Sequence, residues 1–223
     1  MTVYLVPAGG DRYELYSEPP EEVGEAPAPH EGVLRRWAHT AAVQWHALVD
    51  RARHGRATGR LAGWRDAVVC RLAESISEQR TLWALRLQTG AIVRYPSRLS
   101  GETARDILYQ LLGKSRQHHG RWLAIDSVLF VISGILFFIP GPNIIAYYFA
   151  FRLVGHLQSW RGARQAMDRI AWAFEADQGL DELASLVDLP RAARAPRVAA
   201  IAARLNLPRL SAFFDRVAAA HEI

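Results

Sequence analysis

The stretch SVLFVISGILFFIPGPNIIAYYFAF, residues 127–151, decides how this chain is read. It runs for 25 residues without a formal charge, between Asp126 and Arg152. A helix rises about 1.5 Å per residue, so about 20 apolar residues cross the ~30 Å core of a bilayer. Length alone therefore points to a membrane. Pro140-Gly141-Pro142 interrupts the run, because two prolines flanking a glycine break a helix. The arms Ser127–Ile139 and Asn143–Phe151 would rise about 20 and 14 Å, each too short to span alone.

The flanks are basic on both sides, with Lys114, Arg116, His118, His119 and Arg121 before the run and Arg152, Arg161, Arg164 and Arg169 after it. Positive charge collects on the cytoplasmic side, so equal flanks fit a hairpin dipping partway into the bilayer, both ends on one side, better than a single kinked crossing. Trp122, Tyr147, Tyr148 and Trp160 stand near the ends, where interfacial aromatics gather. A hairpin buried in a soluble core is the alternative. Asp126 and Arg152 would lie at similar depth, as an ion pair, as headgroup contacts, or as groups that handle ions. Asn143, beside the carbonyls freed by Pro140 and Pro142, is the only other inward polar candidate, and it also reads as a routine helix cap.

Working outward, Thr2–Val6 and Arg12–Tyr16 flank Gly9-Gly10-Asp11 and predict a β-hairpin. Residues 17–32 are rich in Glu and Pro and read as a linker. Leu34, Trp37, Ala41, Trp45 and Leu48 recur at helical spacing, as do Leu61, Trp64, Val68, Leu72 and Ile76. A short helix is expected from Ser77 to about Leu87, and a strand over 91–95 that stops at Pro96 and pairs with the hairpin. Ser100 is placed to cap a helix bearing Ile107, Leu108, Leu111 and Leu112. A long helix is expected from about Arg152 to Ala176, then two or three more, punctuated by Gly179, Pro190, Pro196 and Pro208. The expected fold class is mainly α with a small N-terminal β element (α+β), a helical membrane-associated protein with a Pro-Gly-Pro-broken hydrophobic hairpin. Its divisions are a β-hairpin (1–16), the linker (17–32), a helical region with one strand (33–121), the membrane hairpin (122–154) and C-terminal helices (155–223).

Net charge is +5 over 223 residues, nearly all of it arginine, since Lys114 is the only lysine. Such a balance suits anionic lipid or nucleic acid. Arg51, Arg53, Arg56 and Arg60 are candidates to face lipid, or else a solvated loop. Cys70 stands alone in an apolar run, which excludes an intramolecular disulfide and suggests a buried thiol in a reducing compartment. The N-terminus shows neither a secretory signal nor a mitochondrial presequence, so a bacterial setting is expected.

No Walker loop, GxGxxG, HExxH, CxxC or GxSxG is present, and no enzyme or cofactor is expected. His39 and His46, with Asp50, share a helix side with few acidic partners, so a solvated polar face is preferred to a metal site. Residues Ile201–Phe213 loosely imitate a helix-turn-helix, but Arg209 and Arg216 are its only basic groups in the second helix. A packed helical pair accounts for that pattern as well, and nucleic acid is not the expected partner.

With these residues in view, the chain resembles the mitochondrial K+/H+ exchange-related protein family, known from fungi and plants with relatives in bacteria. Val3-Tyr4-Leu5-Val6-Pro7 with Leu15-Tyr16 looks like its opening strands, and Trp37 and Trp45 like its first helix. Arg71-Leu72 with Glu78 and Leu82 resembles its central stretch, and Val93-Arg94-Tyr95-Pro96-Ser97 its Tyr-Pro-Ser element. The most specific likeness is Pro140-Gly141-Pro142-Asn143-Ile144-Ile145-Ala146-Tyr147-Tyr148, continuing into Phe151-Arg152 and His156–Ala163 with Trp160-Arg161. Phe151 departs from it, standing where the family often has Tyr. Leu205–Val217 is similar more loosely.

The resemblance implies a part in potassium–proton exchange across an energised membrane. With no carboxylate between Ser127 and Phe151, the chain either oligomerises around its turn or regulates a membrane cation transporter. The accessory role is preferred, at a bacterial inner membrane on its cytoplasmic side, or at a mitochondrial inner membrane in a eukaryote.

Overall fold

Val3-Tyr4-Leu5-Val6 is an almost unbroken apolar run, the pattern of a strand covered on both faces. It forms β1 (Thr2–Pro7), with every residue from Val3 to Pro7 buried. The chain reverses at Gly9 and Gly10, whose φ angles of 99° and 57° lie on the positive side, which glycine adopts most readily. It returns as β2 (Tyr13–Tyr16), antiparallel to β1, with Tyr4 opposite Tyr16 and Pro7 opposite Tyr13. The computed structural model describes residues 1–18, 80–135 and 144–219. The chain divides into two compact units, Met1–Glu18 with Gln79–Ile223, and Pro19–Glu78, and all described residues belong to the first.

A short helical segment, 80–85, precedes β3 (Gly90–Pro96), which pairs in parallel with β1, Val3 beside Val93. Ser100 then caps α1 (Gly101–Ile135), its Oγ accepting the Thr103 N–H at 3.1 Å. After α2 (Ile144–Asp168) the chain enters β4 (Ala171–Asp177), parallel to β3 with Val93 beside Phe174. The sheet order is β2-β1-β3-β4. Asp177 caps α3 (Gln178–Ala184) by accepting the Gly179 N–H at 2.8 Å. Then follow α4 (Arg191–Arg204) and α5 (Leu210–Ala219), joined through Asn206 in the left-handed region at φ 55°.

Alternation along β1 sends side chains into two cores. Val3, Leu5 and Tyr13, with Ala91 and Val93, meet Leu82, Leu85, Ala104, Leu108, Leu112, Ala163 and Ala166. Tyr4, Val6 and Tyr16 meet Leu180, Leu183, Val198, Ile201, Leu210 and Phe214 on the other side. Helices thus cover both faces of a mixed sheet. Inside the second core, Arg194 is buried and held by Asp215 at 3.5 Å and the Leu189 carbonyl at 3.0 Å. The pair α4–α5 packs Ile201, Ala202, Phe213 and Phe214 inward, and helix α4 continues over Pro196, where sequence expected a break.

Two expectations are corrected. The fold is mixed α/β around a four-stranded sheet, not a mainly α chain with a small N-terminal β element. The strand that sequence misses is β4: Ala171, Ala173, Glu175 and Ala176 favour helices, and their run continues a helical pattern without a break. Helix α2 ends at Asp168, where the N–H groups of Arg169 and Ile170 both close on the Gln165 carbonyl. Beyond it, parallel pairing with β3 overrides propensity. Second, among the described residues no helix is long and apolar enough to cross a membrane. The charge-free run is divided between the end of α1 and the start of α2, and each helix is polar over much of its remaining length. The hydrophobic membrane hairpin of the expected fold class is thereby withdrawn, and with it the single kinked crossing. Trp37, Trp45, Cys70, the His39–His46 pair, Arg51, Arg53, Arg56, Arg60, Pro140, Pro142 and Asn143 lie outside the described residues.

Gly162 fixes how closely α2 approaches segment 80–85. A Cβ there would stand 1.8 Å from the Leu82 carbonyl oxygen, a backbone atom that cannot swing aside. Gly162→Ala is expected to lower unfolding free energy by about 3 kcal/mol, the upper end of overpacking costs, as read by urea denaturation.

Candidate functional site

In the first turns of α1 the buried residues are Ala104, Leu108 and Leu112. The same face continues at a spacing of seven through His119, Asp126 and Ser133, all buried. Seven residues make nearly two turns, so these four positions from Leu112 form one seam. The seam is apolar beside the sheet and polar thereafter. Helix α2 presents a matching row in which Arg152, His156 and Ser159 give way to Ala163 and Ala166.

Where the two rows meet, Asp126 is wholly buried. Arg152 donates from Nε to Asp126 Oδ2 at 3.2 Å, and His156 Nε2 lies 3.5 Å from the same oxygen. His156 Nδ1 stands 2.9 Å from His119 Nδ1. Asp126 Oδ1 has no hydrogen-bond partner among the described residues. Trp122 closes the cluster: its ring stacks on His156 with centroids 6.3 Å apart at 16°, and the Arg152 guanidinium lies 5.1 Å from its centroid. His118, exposed, sets its ring edge-on to His119 at 5.2 Å. Further along, Ser159 Oγ donates to the Gly155 carbonyl at 3.0 Å and accepts the Trp83 indole N–H at 2.9 Å.

This geometry assigns tautomers. With Nε2–H turned to the Asp126 carboxylate, neutral His156 keeps Nδ1 unprotonated, so His119 donates its Nδ1–H. A proton arriving at His119 Nε2 lets His119 Nδ1–H pass to His156 Nδ1. The positive charge then rests on His156 beside Asp126. Burial, reinforced by repulsion from His156 and His118, lowers the His119 pKa to about 4. Burial lowers His156 as well, Asp126 opposing it and Arg152 and His118 adding to it. At neutral pH the two imidazoles are therefore neutral, beside a fixed Asp126–Arg152 pair. Among the described residues no group of three or more His, Cys, Asp or Glu side chains is placed to hold a metal ion.

Of the residues singled out from sequence, Asp126 and Arg152 come together. Trp160 lies near Gly120 and carries the Arg164 guanidinium over its ring at 5.6 Å, while Arg161 is exposed. Tyr95 packs on Phe174. Pro96 ends β3, and the N–H groups of Ser97 and Arg98 are held by the Asp181 carboxylate at 2.9 and 3.2 Å, an anchor between sheet and α3. Tyr148 falls within α2. Sequence reading did not single out His119, His156 or Trp122 as site residues. The available signal was spacing, His119 seven before Asp126 and His156 four after Arg152.

The fold and site define a mixed α/β protein that carries a buried acid–base cluster between two long helices. The chain belongs to the mitochondrial K+-H+ exchange-related family, whose model matches residues 3–170. The cluster lies wholly inside the matched region, whereas β4 and α3–α5 lie beyond it, together with the Leu205–Val217 likeness. No match was found among curated proteins or solved structures.

Two outcomes follow from the geometry. Because the folded His119 pKa lies below the ordinary 6.5, the unfolded chain binds more protons between about 6.5 and about 4. Stability should fall as pH drops through that window and level off below it, and His119→Gln should flatten the slope in urea titrations at stepped pH. Arg152→Leu leaves the Asp126 carboxylate buried with only His156. It should lose about 3 kcal/mol, the low end for a broken buried pair because Arg152 is partly exposed.

Proposed function

We propose that this chain is a membrane-associated accessory or regulatory protein of potassium–proton exchange. The observation that carries the reading is the Asp126–His156–His119 cluster, a proton-accepting chain buried between helices in a member of an exchange-related family. Protonation of either histidine, which burial defers to pH below the ordinary 6.5, adds charge beside Arg152 and weakens the packing of α1 on α2, so an acid local pH biases the pair of helices. A helix pair that senses protons suits control of an exchanger. A cation path of its own would need several helices lining it with acidic or carbonyl ligands. The role assigns no catalytic step and no cofactor. Its partner is a membrane cation transporter. The site of action is an inner membrane, that of mitochondria in keeping with the family's description, or that of a bacterium.

Potassium–proton exchange in vesicles from cells that lack the chain is the test. Adding back the chain should raise flux several-fold, and His156→Gln should restore flux without its normal pH response. The purified chain alone in vesicles should move no potassium. Flux from the pure protein would make it the exchanger itself, and no effect of add-back would sink the exchange role.

A further inference from the structure

The far part of α1 is inside out for a protein in water. Its buried positions are His119, Asp126 and Ser133, while Val128, Val131 and Ile132 are 59%, 70% and 54% exposed. Ile125, Leu129 and Phe130 are exposed too, as is Val154 on α2. At about 100° per residue, the exposed apolar side chains of residues 125–132 point around most of the helix, leaving only the Asp126–Ser133 seam turned to α2. A helical protein partner takes one stripe of about that breadth from an amphipathic helix. An apolar medium takes all of it, and polar groups inside such a medium turn inward and pair, as Asp126 does with Arg152.

One turn nearer the sheet the surface changes sign. Lys114, His118 and Arg121 follow one another at four and three residues, and with Gln117, Trp122 and Ile125 they line an open groove. Lys114 and Arg121 at one end and apolar side chains at the other match the head and tail of an anionic phospholipid. Trp122, half polar and half apolar, stands at the border, where tryptophan concentrates at membrane surfaces. The apolar band Ile125–Ile132 rises about 12 Å, which seats it in the headgroup and upper acyl region and does not cross.

We infer that this end of the α1–α2 pair is a lipid-docking surface, in which Lys114 and Arg121 hold the phosphate of an anionic phospholipid and Val128, Val131 and Ile132 enter the acyl layer. The inference rests on the membrane placement in the proposed function and gives that placement its surface and its ligand class. It also connects lipid to the cluster, since Trp122 touches both the groove and His156.

The test is flotation of the full chain with phosphatidylcholine vesicles, with and without about a third phosphatidylglycerol. Binding should need the anionic lipid and fall as salt rises. Lys114→Gln with Arg121→Gln should weaken it about thirty-fold, from about 1 kcal/mol per basic residue near an anionic surface. Val128→Ser with Val131→Ser alters only exposed side chains, so the melting curve should hold while vesicle binding is lost. Equal binding to neutral vesicles, or displacement by millimolar inorganic phosphate at matched ionic strength, would overturn the headgroup assignment. A stable dimer that the serine variant splits, with no retention on vesicles, would make this surface a contact between copies and overturn the proposal. A chain that floats but restores no flux leaves the docking surface standing and removes the exchange role. One that restores flux without floating does the reverse.

Discussion

A carboxylate taken out of water must be matched by positive charge or hydrogen bonds, and Asp126 imposes that condition on the α1–α2 pair. It is wholly buried, and its Oδ2 faces both Arg152 and His156. Those two groups stand four apart on α2, so one carboxylate fixes both the rotation and the register of α2 against α1. A shift of α2 by one residue would turn Arg152 off the seam and leave the charge alone. Nonspecific apolar packing gives no such discrimination, since hydrophobic contacts tolerate sliding. The polar seam therefore sets alignment at the far end of the pair, as Gly162 sets it at the near end by its contact with the Leu82 backbone.

The two ends answer to different surroundings. Near the sheet, Ala104, Leu108 and Leu112 on α1 and Ala163 and Ala166 on α2 join the core under β1 and β3, the ordinary arrangement for water. Past His119 the order reverses, polar within and apolar without. The reversal is compatible with folding because the serines satisfy their hydroxyls on their own helices. Ser127 donates to the Leu123 carbonyl and Ser133 to the Phe130 carbonyl, and no open polar group is presented outward from them. Neither core cluster of the sheet draws on the far end, so the apolar surface there belongs to a part of the two helices whose own stability rests on the polar seam.

Much of this was legible in local sequence. Val3–Val6 is apolar at every position because β1 is covered on both faces, and Gly9-Gly10 marks the only turn that could join it to β2. Ser100 announced α1 because a hydroxyl before an apolar period has few other uses. The strand β4 was not legible, since its identity comes from pairing with β3, whose register no local pattern encodes. The length of the charge-free run reads as a hairpin dipping into a membrane because hydropathy averages over a window. It cannot see that Asp126 and Ser133 lie on one side of a helix and Val128 and Val131 on the others. Periodicity could have shown it: His119, Asp126 and Ser133 are spaced by seven, the mark of a seam. What sequence could not give was the His119–His156 contact, because it joins residues 37 apart on two helices.

That contact lies at the junction between the two environments, and its position has a chemical consequence. A neutral imidazole pair adds no net charge to the seam, so the Asp126–Arg152 pair is balanced as long as both histidines stay unprotonated. Adding one proton creates a net positive charge within a few ångströms of Arg152, in surroundings where solvent cannot screen it well. Relief comes from separating the helices or from drawing the charge toward an anion. The groove lined by Lys114, His118, Arg121 and Trp122 adjoins the cluster, since His118 faces His119 at 5.2 Å and His156 at 6.5 Å and Trp122 stacks on His156. Were a lipid phosphate bound in that groove as proposed, proton uptake and lipid contact would favour each other, and by linkage each would strengthen the other by the same factor.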